Sequence, residues 1–325
     1  MGALARPRVV VSRCLEFGPC RWNGAAIADE HVRRLMGHVT FCPVCPEMGI
    51  GLGVPREPVR VCRAAGGPRL YQPATGRDVT EAMERFAAEF LGALGPVDGF
   101  ILKGRSPSCG MKDVKVYAST DAGAMVAGKG PGFFGGAVAA RFAHRAVEDE
   151  GRLRNVLLRD HFLTKLFALA AFREARARGD MAGLVAFHTR HKWLLMAYRE
   201  AELRVLGRIV ANPERQPAAE VWADYADHFG RALGRPARYR SNINVLMHAL
   251  GFVRSGLSAA EKADFLAVLE RYRRARVPLS VPVALVRSWG VRFGQALLLE
   301  QTFLAPYPED LADLSDSGRG AGHDV

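Results

Sequence analysis

Apolar residues fall in two textures along the chain. In the first part they form short runs. Val9-Val10-Val11 and Gly99-Phe100-Ile101-Leu102 have the length of buried strands, and each breaks into a loop of small or polar residues. His38-Val39-Thr40-Phe41 and Val114-Lys115-Val116-Tyr117 read as further strands. Residues 29–37 predict a short helix. Val79, Met83, Phe86, Phe90 and Leu94 mark the apolar stripe of a longer one, capped by Asp78 or Thr80. The stretch 71–78 reads as a loop, and a glycine-rich loop over 128–136 leads to a helix near 136–147. Strands alternating with helices predict an α/β, Rossmann-like domain over 1–150 with a mostly parallel sheet.

Beyond Glu148-Asp149-Glu150-Gly151 the period changes. Phe162, Leu166, Leu169 and Phe172 recur at helical spacing within 159–178, and 187–206, 218–233, 242–252 and 258–274 repeat that style. Breaks fall at glycine, Asn-Pro and Arg-Pro. An all-α domain over 151–308 is therefore expected, followed by a flexible acidic tail over 309–325.

Charge narrows the function classes. The 325 residues carry 45 Lys and Arg against 33 Asp and Glu, a formal net charge of +12. Residues 151–307 hold most of that surplus. Such a balance fits an anionic partner, nucleic acid ahead of membrane, although a genome that favours arginine gives the same composition. No long apolar run or signal-like leader is present, so a cytoplasmic protein without a membrane anchor is expected.

All six cysteines, Cys14, Cys20, Cys42, Cys45, Cys62 and Cys109, lie in the first third of the chain. In a reducing compartment such a group argues for metal or catalysis over disulfides. Cys14, Cys45 and Cys109 each follow an apolar run. In a parallel sheet, ligands sit beyond the carboxyl ends of the strands, so these three can converge at one edge. Cys62 reads as a small core residue. The Cys42-x-x-Cys45 pair lacks a second pair for a closed zinc site, and its prolines disfavour a thioredoxin-like helix start. Soft thiolates from separate loops favour iron–sulfur or zinc.

Four ordered motifs carry a family resemblance. Ser12-x-Cys14-Leu15-x-x-Gly18-x-x-Cys20-Arg21-x-Asn23-Gly24 resembles the opening motif of the thiouracil desulfidases. Cys45-Pro46-Glu47 with Gly51-Leu52-x-x-Pro55-Arg56 resembles the second. Gly76-Arg77-Asp78-Val79-Thr80 and Leu102-Lys103-x-x-Ser106-Pro107-Ser108-Cys109-Gly110 resemble the third and fourth. The later part is similar to the YbgA-type helical domain, through Leu158-Arg159-Asp160-His161-Phe162, Phe187-His188-x-Arg190-His191-Lys192, Asn244-Val245-Leu246-Met247-His248 and Tyr272-Arg273-x-x-x-Val277-Pro278-Leu279. Together they resemble the tRNA 4-thiouridine desulfidases.

That resemblance implies a [4Fe-4S] cluster on Cys14, Cys45 and Cys109, with one iron left for the substrate's sulfur. The implied chemistry is non-redox hydrolysis of a thiocarbonyl. Glu47 and Ser106 are expected beside the attacking water, with Arg56 holding either a phosphate or its own loop. Cys20 is expected to support the loop, and Cys42 lies outside the family pattern. Thiolated tRNA is the expected partner. Arg190, Lys192, Arg238 and Arg240 are candidate phosphate contacts, and Tyr239 is a candidate for base stacking; no protein partner is inferable. Two other readings stand beside this one. The first is a desulfidase of free thiouracil or thiouridine nucleotides. The second is a redox-sensing module in which the cluster is only a switch. His188, His191 and His248 read as hydrogen-bonding rather than metal-binding residues.

Overall fold

The computed structural model describes residues 4–312. It divides into two compact units, Arg6–Asn155 and the described residues from Val156 onward.

The first unit follows the order β1 (Arg8–Ser12), α1 (Glu30–Leu35), β2 (Thr40–Val44), α2 (Pro46–Gly49), β3 (Arg60–Ala64), β4 (Gly67–Gln72), β5 (Arg77–Asp78), α3 (Thr80–Ala93), β6 (Gly99–Leu102), β7 (Val114–Tyr117), β8 (Val126–Gly130), α4 (Phe133–Arg141) and β9 (Ala146–Asp149). One sheet has the order β2-β1-β6-β9, and every pairing in it is parallel. Its central strands β1 and β6 are apolar at successive positions because parallel strands are covered on both faces. The unit is thus α/β with a parallel sheet, as the alternation predicts.

A second sheet, β5-β4-β3-β7-β8, mixes antiparallel pairs with the parallel pair β3–β7. Apart from β7, the sequence reading has no place for it. Its strands are short and rich in Gly and Arg, and they bury one face only. Residues 71–78 are therefore strand and turn rather than loop, and part of the 128–136 loop is the end of β8. Core residues Val10, Phe100, Leu70, Val61 and Val114 from both sheets pack in one cluster with Met83, Ala87 and Leu91 of α3 and Phe134 of α4.

The expected helix near 136–147 is displaced. α4 begins at Phe133 and stops at Arg141, and 146–149 is a strand. The acidic run Glu148-Asp149-Glu150 hides that strand from a hydropathy pattern. It can be buried because Arg152 Nε donates to Glu148 at 2.6 Å, while Glu150 takes the Gly104 N–H at 2.7 Å and pairs with Lys103.

The second unit is helical: α5 (Val156–Arg176), α6 (Met181–Ala211), α7 (Ala218–Ala232), α8 (Tyr239–Val253), α9 (Ala259–Arg273), α10 (Ser280–Arg292) and α11 (Ala296–Leu299). Asp180 caps α6 through the Gly183 N–H, and Asn212 ends it in the left-handed conformation just before Pro213. Phe172 centres an aromatic core, with ring centroids 5.4 Å from Phe187 and Trp222 and 5.3 Å from Phe229. The tail expected over 309–325 begins differently. Glu309–Leu311 forms a 3-10 turn held by Arg287 at 2.7 Å, with Leu311 buried. Positions 313–325 lie outside the described residues. Among the described residues no helix is long and apolar enough to cross a membrane.

Candidate active site

Because β1, β2 and β6 run parallel, their carboxyl ends lie at one edge of the sheet. Cys14 follows β1, Cys45 caps α2 directly after β2, and Cys109 sits in the loop after β6. The structure brings these segments together as the apolar runs predict. The Cys20 thiol lies within hydrogen-bonding reach of both Cys14 and Cys45. Cys42 is apart from them, exposed on the edge strand β2. Cys62 is 1% exposed in the second sheet, in keeping with a packing role.

Burial and neighbouring thiol or acidic groups favour the protonated form of the Cys45 and Cys109 thiols. Burial pushes Cys109 up to about 12, partly opposed by the Ser12 and Ser106 hydroxyls, with Glu47 and Cys45 adding to the rise. Contact with the Cys20 thiol, then burial, raises Cys45. Cys20 is raised first by Cys14. Buried thiols of this kind become thiolates when a metal supplies the missing positive charge. Among the described residues, no three His, Cys, Asp or Glu side chains are close enough to share a single metal ion. A multinuclear cluster asks less of them, since each thiolate binds a different iron.

Glu47 opens α2 two residues after Cys45, and both of its oxygens are held. Ser108 Oγ donates to Oε1 at 2.8 Å, and Arg56 Nε donates to Oε2 at 2.8 Å. Arg56 also donates to the Gly53 carbonyl at 2.8 Å and the Cys20 carbonyl at 3.0 Å. Its side chain is 4% exposed, so of the two expectations for Arg56 the geometry supports the loop and leaves no face for a phosphate. Ser108 is fully buried and is the residue that sequence reasoning missed. Its position next to Cys109 in the fourth motif was the available signal.

Ser106 also has partners within its own loop. Its Oγ accepts the Cys109 N–H at 3.1 Å and the Ser108 N–H at 3.3 Å, and it lies within reach of the Cys109 thiol. The hydroxyl thus shapes the cysteine loop. Gly135 lets α4 approach that loop: a Cβ there would lie 2.3 Å from the carbonyl oxygens of Cys109 and Gly110.

In the helical unit Arg190, Lys192, Arg238 and Arg240 are all exposed and have no acidic partner among the described residues. Arg190 borders an open cleft with Arg178, Thr189 and Glu300. Being two residues apart, Arg190 and Lys192 point about 200° apart around α6 and do not form one contact. Tyr239 is engaged elsewhere, donating its hydroxyl to the Arg273 carbonyl. Other arginines of this unit pair along their own helices, Arg231 with Asp227 at 2.7 Å and Arg274 with Glu270 at 2.8 Å. The histidines take separate tasks. His191 bonds the Phe187 carbonyl at 2.9 Å, His188 bonds the Tyr225 hydroxyl at 3.1 Å, and His248 packs on Trp193.

Residues 9–150 match the family described as 2-thiouracil desulfurase. Within this region the chain is 34% identical over 129 residues to YbbK of Bacillus subtilis (strain 168), covering 38% of this chain and 84% of the relative. The chain belongs to the 2-thiouracil desulfurase family. Residues 192–308 match a second family, DUF1722, whose function is unknown. YbgA of Escherichia coli (strain K12) is 29% identical over 161 residues, covering 49% of this chain and 95% of the relative. The chain is thus a thiouracil desulfurase region joined to a YbgA-like helical region. A solved structure described as the [4Fe-4S]-dependent thiouracil desulfidase TudS shares 28% identity. It covers 46% of this chain and 94% of that one, with a TM-score of 0.35.

Proposed function

We propose that this desulfurase-family chain converts 4-thiouridine in tRNA to uridine with release of sulfide. It would do so by hydrolysis at a [4Fe-4S] cluster held by Cys14, Cys45 and Cys109. The observation that carries this reading is the meeting of three loop cysteines with a clamped carboxylate at one sheet edge. The donor set fits such a cluster: soft thiols, Cys109 buried and Cys14 and Cys45 partly so. Cys14, Cys45 and Cys109 would hold the cluster, which would supply Lewis acidity toward the thiocarbonyl sulfur.

The chain's own residues manage protons and position. In the net reaction C4=S and water give C4=O and hydrogen sulfide, with no change of oxidation state. The water oxygen bonds to C4 as Glu47 takes its first proton. The C4–S bond then breaks as Glu47 returns that proton to the sulfur, and the proton left on the new C4 hydroxyl follows by the same carboxylate, giving C4=O and hydrogen sulfide. Each carboxylate oxygen has two acceptor sites, so bonds to Ser108 and Arg56 leave room for a water. Arg56 and Ser108 are positioning residues that fix the direction of Glu47. Ser106 holds the Cys109 backbone and thiol in place, and its hydroxyl proton is the group it can turn toward water or substrate.

The tRNA part of the reading is supported by the surplus of basic residues and by exposed Arg190, Lys192, Arg238 and Arg240. Its test is anaerobic incubation of reconstituted full-length protein with thiolated tRNA and, in parallel, with free 4-thiouridine and thiouracil. The expected result is faster loss of 4-thiouridine absorbance from tRNA, with stoichiometric sulfide. Turnover of the free compounds alone would remove tRNA from the proposal. Absence of sulfide from every substrate would overturn the desulfidase reading and favour a switch role for the cluster.

A further inference from the structure

The second sheet has a face that the chemistry above does not use. Val61 pairs with Leu70 and Val116, and these residues pack on the core. Alternation along each strand puts their neighbours on the other face. Arg60 is paired there with Tyr71, and Lys115 with Lys129, while Arg69 and Tyr117 are both opposite Cys62. Asp78 joins them, 3.8 Å from Arg69.

Two features of this face call for an anion. Lys115 and Lys129 sit directly opposite each other on β7 and β8, both exposed, with no acidic partner among the described residues. Like charges at directly opposed positions destabilise a sheet unless a counter-charge joins them. The Arg60 guanidinium lies 4.7 Å from the ring centroid of half-buried Tyr117, so basic and aromatic groups interleave. Phosphates need the cations and bases need the rings, and single-stranded nucleic acid offers both along one strand.

The face also adjoins the cysteine edge. β3 opens shortly after Arg56, which grips Glu47. The Gly132 N–H, just past β8, donates to the Gly110 carbonyl at 2.8 Å. Val114 pairs with Gly130, so the lysine pair stands at the end of the β7–β8 hairpin nearer the Cys109 loop.

We propose that this outer face is an RNA-docking surface of the α/β unit itself. Lys115 and Lys129 would take phosphates flanking the thiolated nucleotide, and Arg60 with Tyr117 would support an unstacked neighbour. The proposal rests on the reading that RNA is the substrate. It adds a contact surface separate from the arginines of the helical unit.

Charge reversal separates binding from folding. Lys115→Glu places a carboxylate opposite Lys129, which should leave the melting temperature unchanged or slightly higher. In the full-length, cluster-loaded protein it should weaken binding of thiolated tRNA by about tenfold or more and lower the log–log salt slope by about 1–2. Lys115→Arg should restore both. Turnover of free 4-thiouridine, which reads only the cysteine pocket, serves as the reference. Unchanged tRNA affinity and salt slope in Lys115→Glu, with wild type binding tRNA normally, would overturn the surface and leave the tRNA reading intact. Wild-type protein that turns over free nucleoside but binds no tRNA would overturn both.

Discussion

At the carboxyl edge of the parallel sheet, Glu47 is held through both oxygens by Ser108 and Arg56, and Arg56 is itself almost wholly buried. In the helical unit, Arg190, Lys192, Arg238 and Arg240 stand exposed with no acid against them among the described residues. The contrast matches what the proposed function asks of each region. A proton-transfer group acts at one point and profits from partners that fix its direction before substrate arrives. A phosphate-binding group exchanges counterions for phosphate, so it works best in water and without an internal partner. Histidines follow the same division. His191 and His188 lie in the helical unit but are inside its core or at its margin, and they serve packing.

The comparison can be broken most severely at the cysteines. Cys109→Ser should abolish bound iron and with it all sulfide release, whereas Cys42→Ser, on the exposed edge of β2, should leave both intact. Iron content and the visible absorbance of the reconstituted proteins decide this. Equal iron loss in the two variants would mean that Cys42 belongs to the ligand set.

Next in size is the clamped carboxylate. Glu47→Gln should keep the cluster yet lose about 10²–10⁴ in rate, the usual worth of a general acid/base. Ser108→Ala removes one of the carboxylate's partners and should cost less, in kcat more than in KM. A Ser108→Ala enzyme with normal kcat would show that Arg56 alone suffices to aim Glu47.

A stability test probes the buried histidines. Burial lowers His191 and His161 to about 4, well below the value near 6.5 in an unfolded chain. Between those values the unfolded chain binds more protons. Stability is therefore full above about pH 6.5 and falls as pH drops toward 4, by as much as about 3 kcal/mol per histidine. Thermal unfolding of the full-length protein from pH 7.5 to 4.5 measures this, and His191→Asn should flatten part of the slope. The smallest effect belongs to the exposed cations. Arg238→Ala with Arg240→Ala should change stability by less than about 0.5 kcal/mol. The same pair should weaken tRNA binding severalfold and reduce its salt slope by about 1–2. A salt slope equal to wild type would remove these arginines from the RNA interface.

Much of this site is visible in the chain before folding. Short apolar runs ending at Cys14, Cys45 and Cys109 follow from the way parallel strands are buried on both faces, and the parallel sheet then gathers their ends. The second sheet escapes such reading. Its strands bury one face, carry glycine and arginine, and owe their pairing to residues distant in sequence, such as Val61 with Val116. β9 escapes for an electrostatic reason: its acids Glu148 and Asp149 are buried where the Arg152 side chain and backbone N–H meet them, and Glu150 just after it is met by Lys103 and the Gly104 N–H.

Sequence by itself therefore determined which residue types could do the chemistry and which strand ends would carry them, because periodicity and loop composition are local properties. Tertiary structure alone decided their tasks. Arg56 turned inward to Glu47, Ser108 became that carboxylate's second partner, and the Ser106 oxygen took the Cys109 N–H. Hydrogen-bond partners are chosen by distance and direction in space, and no one-dimensional spacing encodes them.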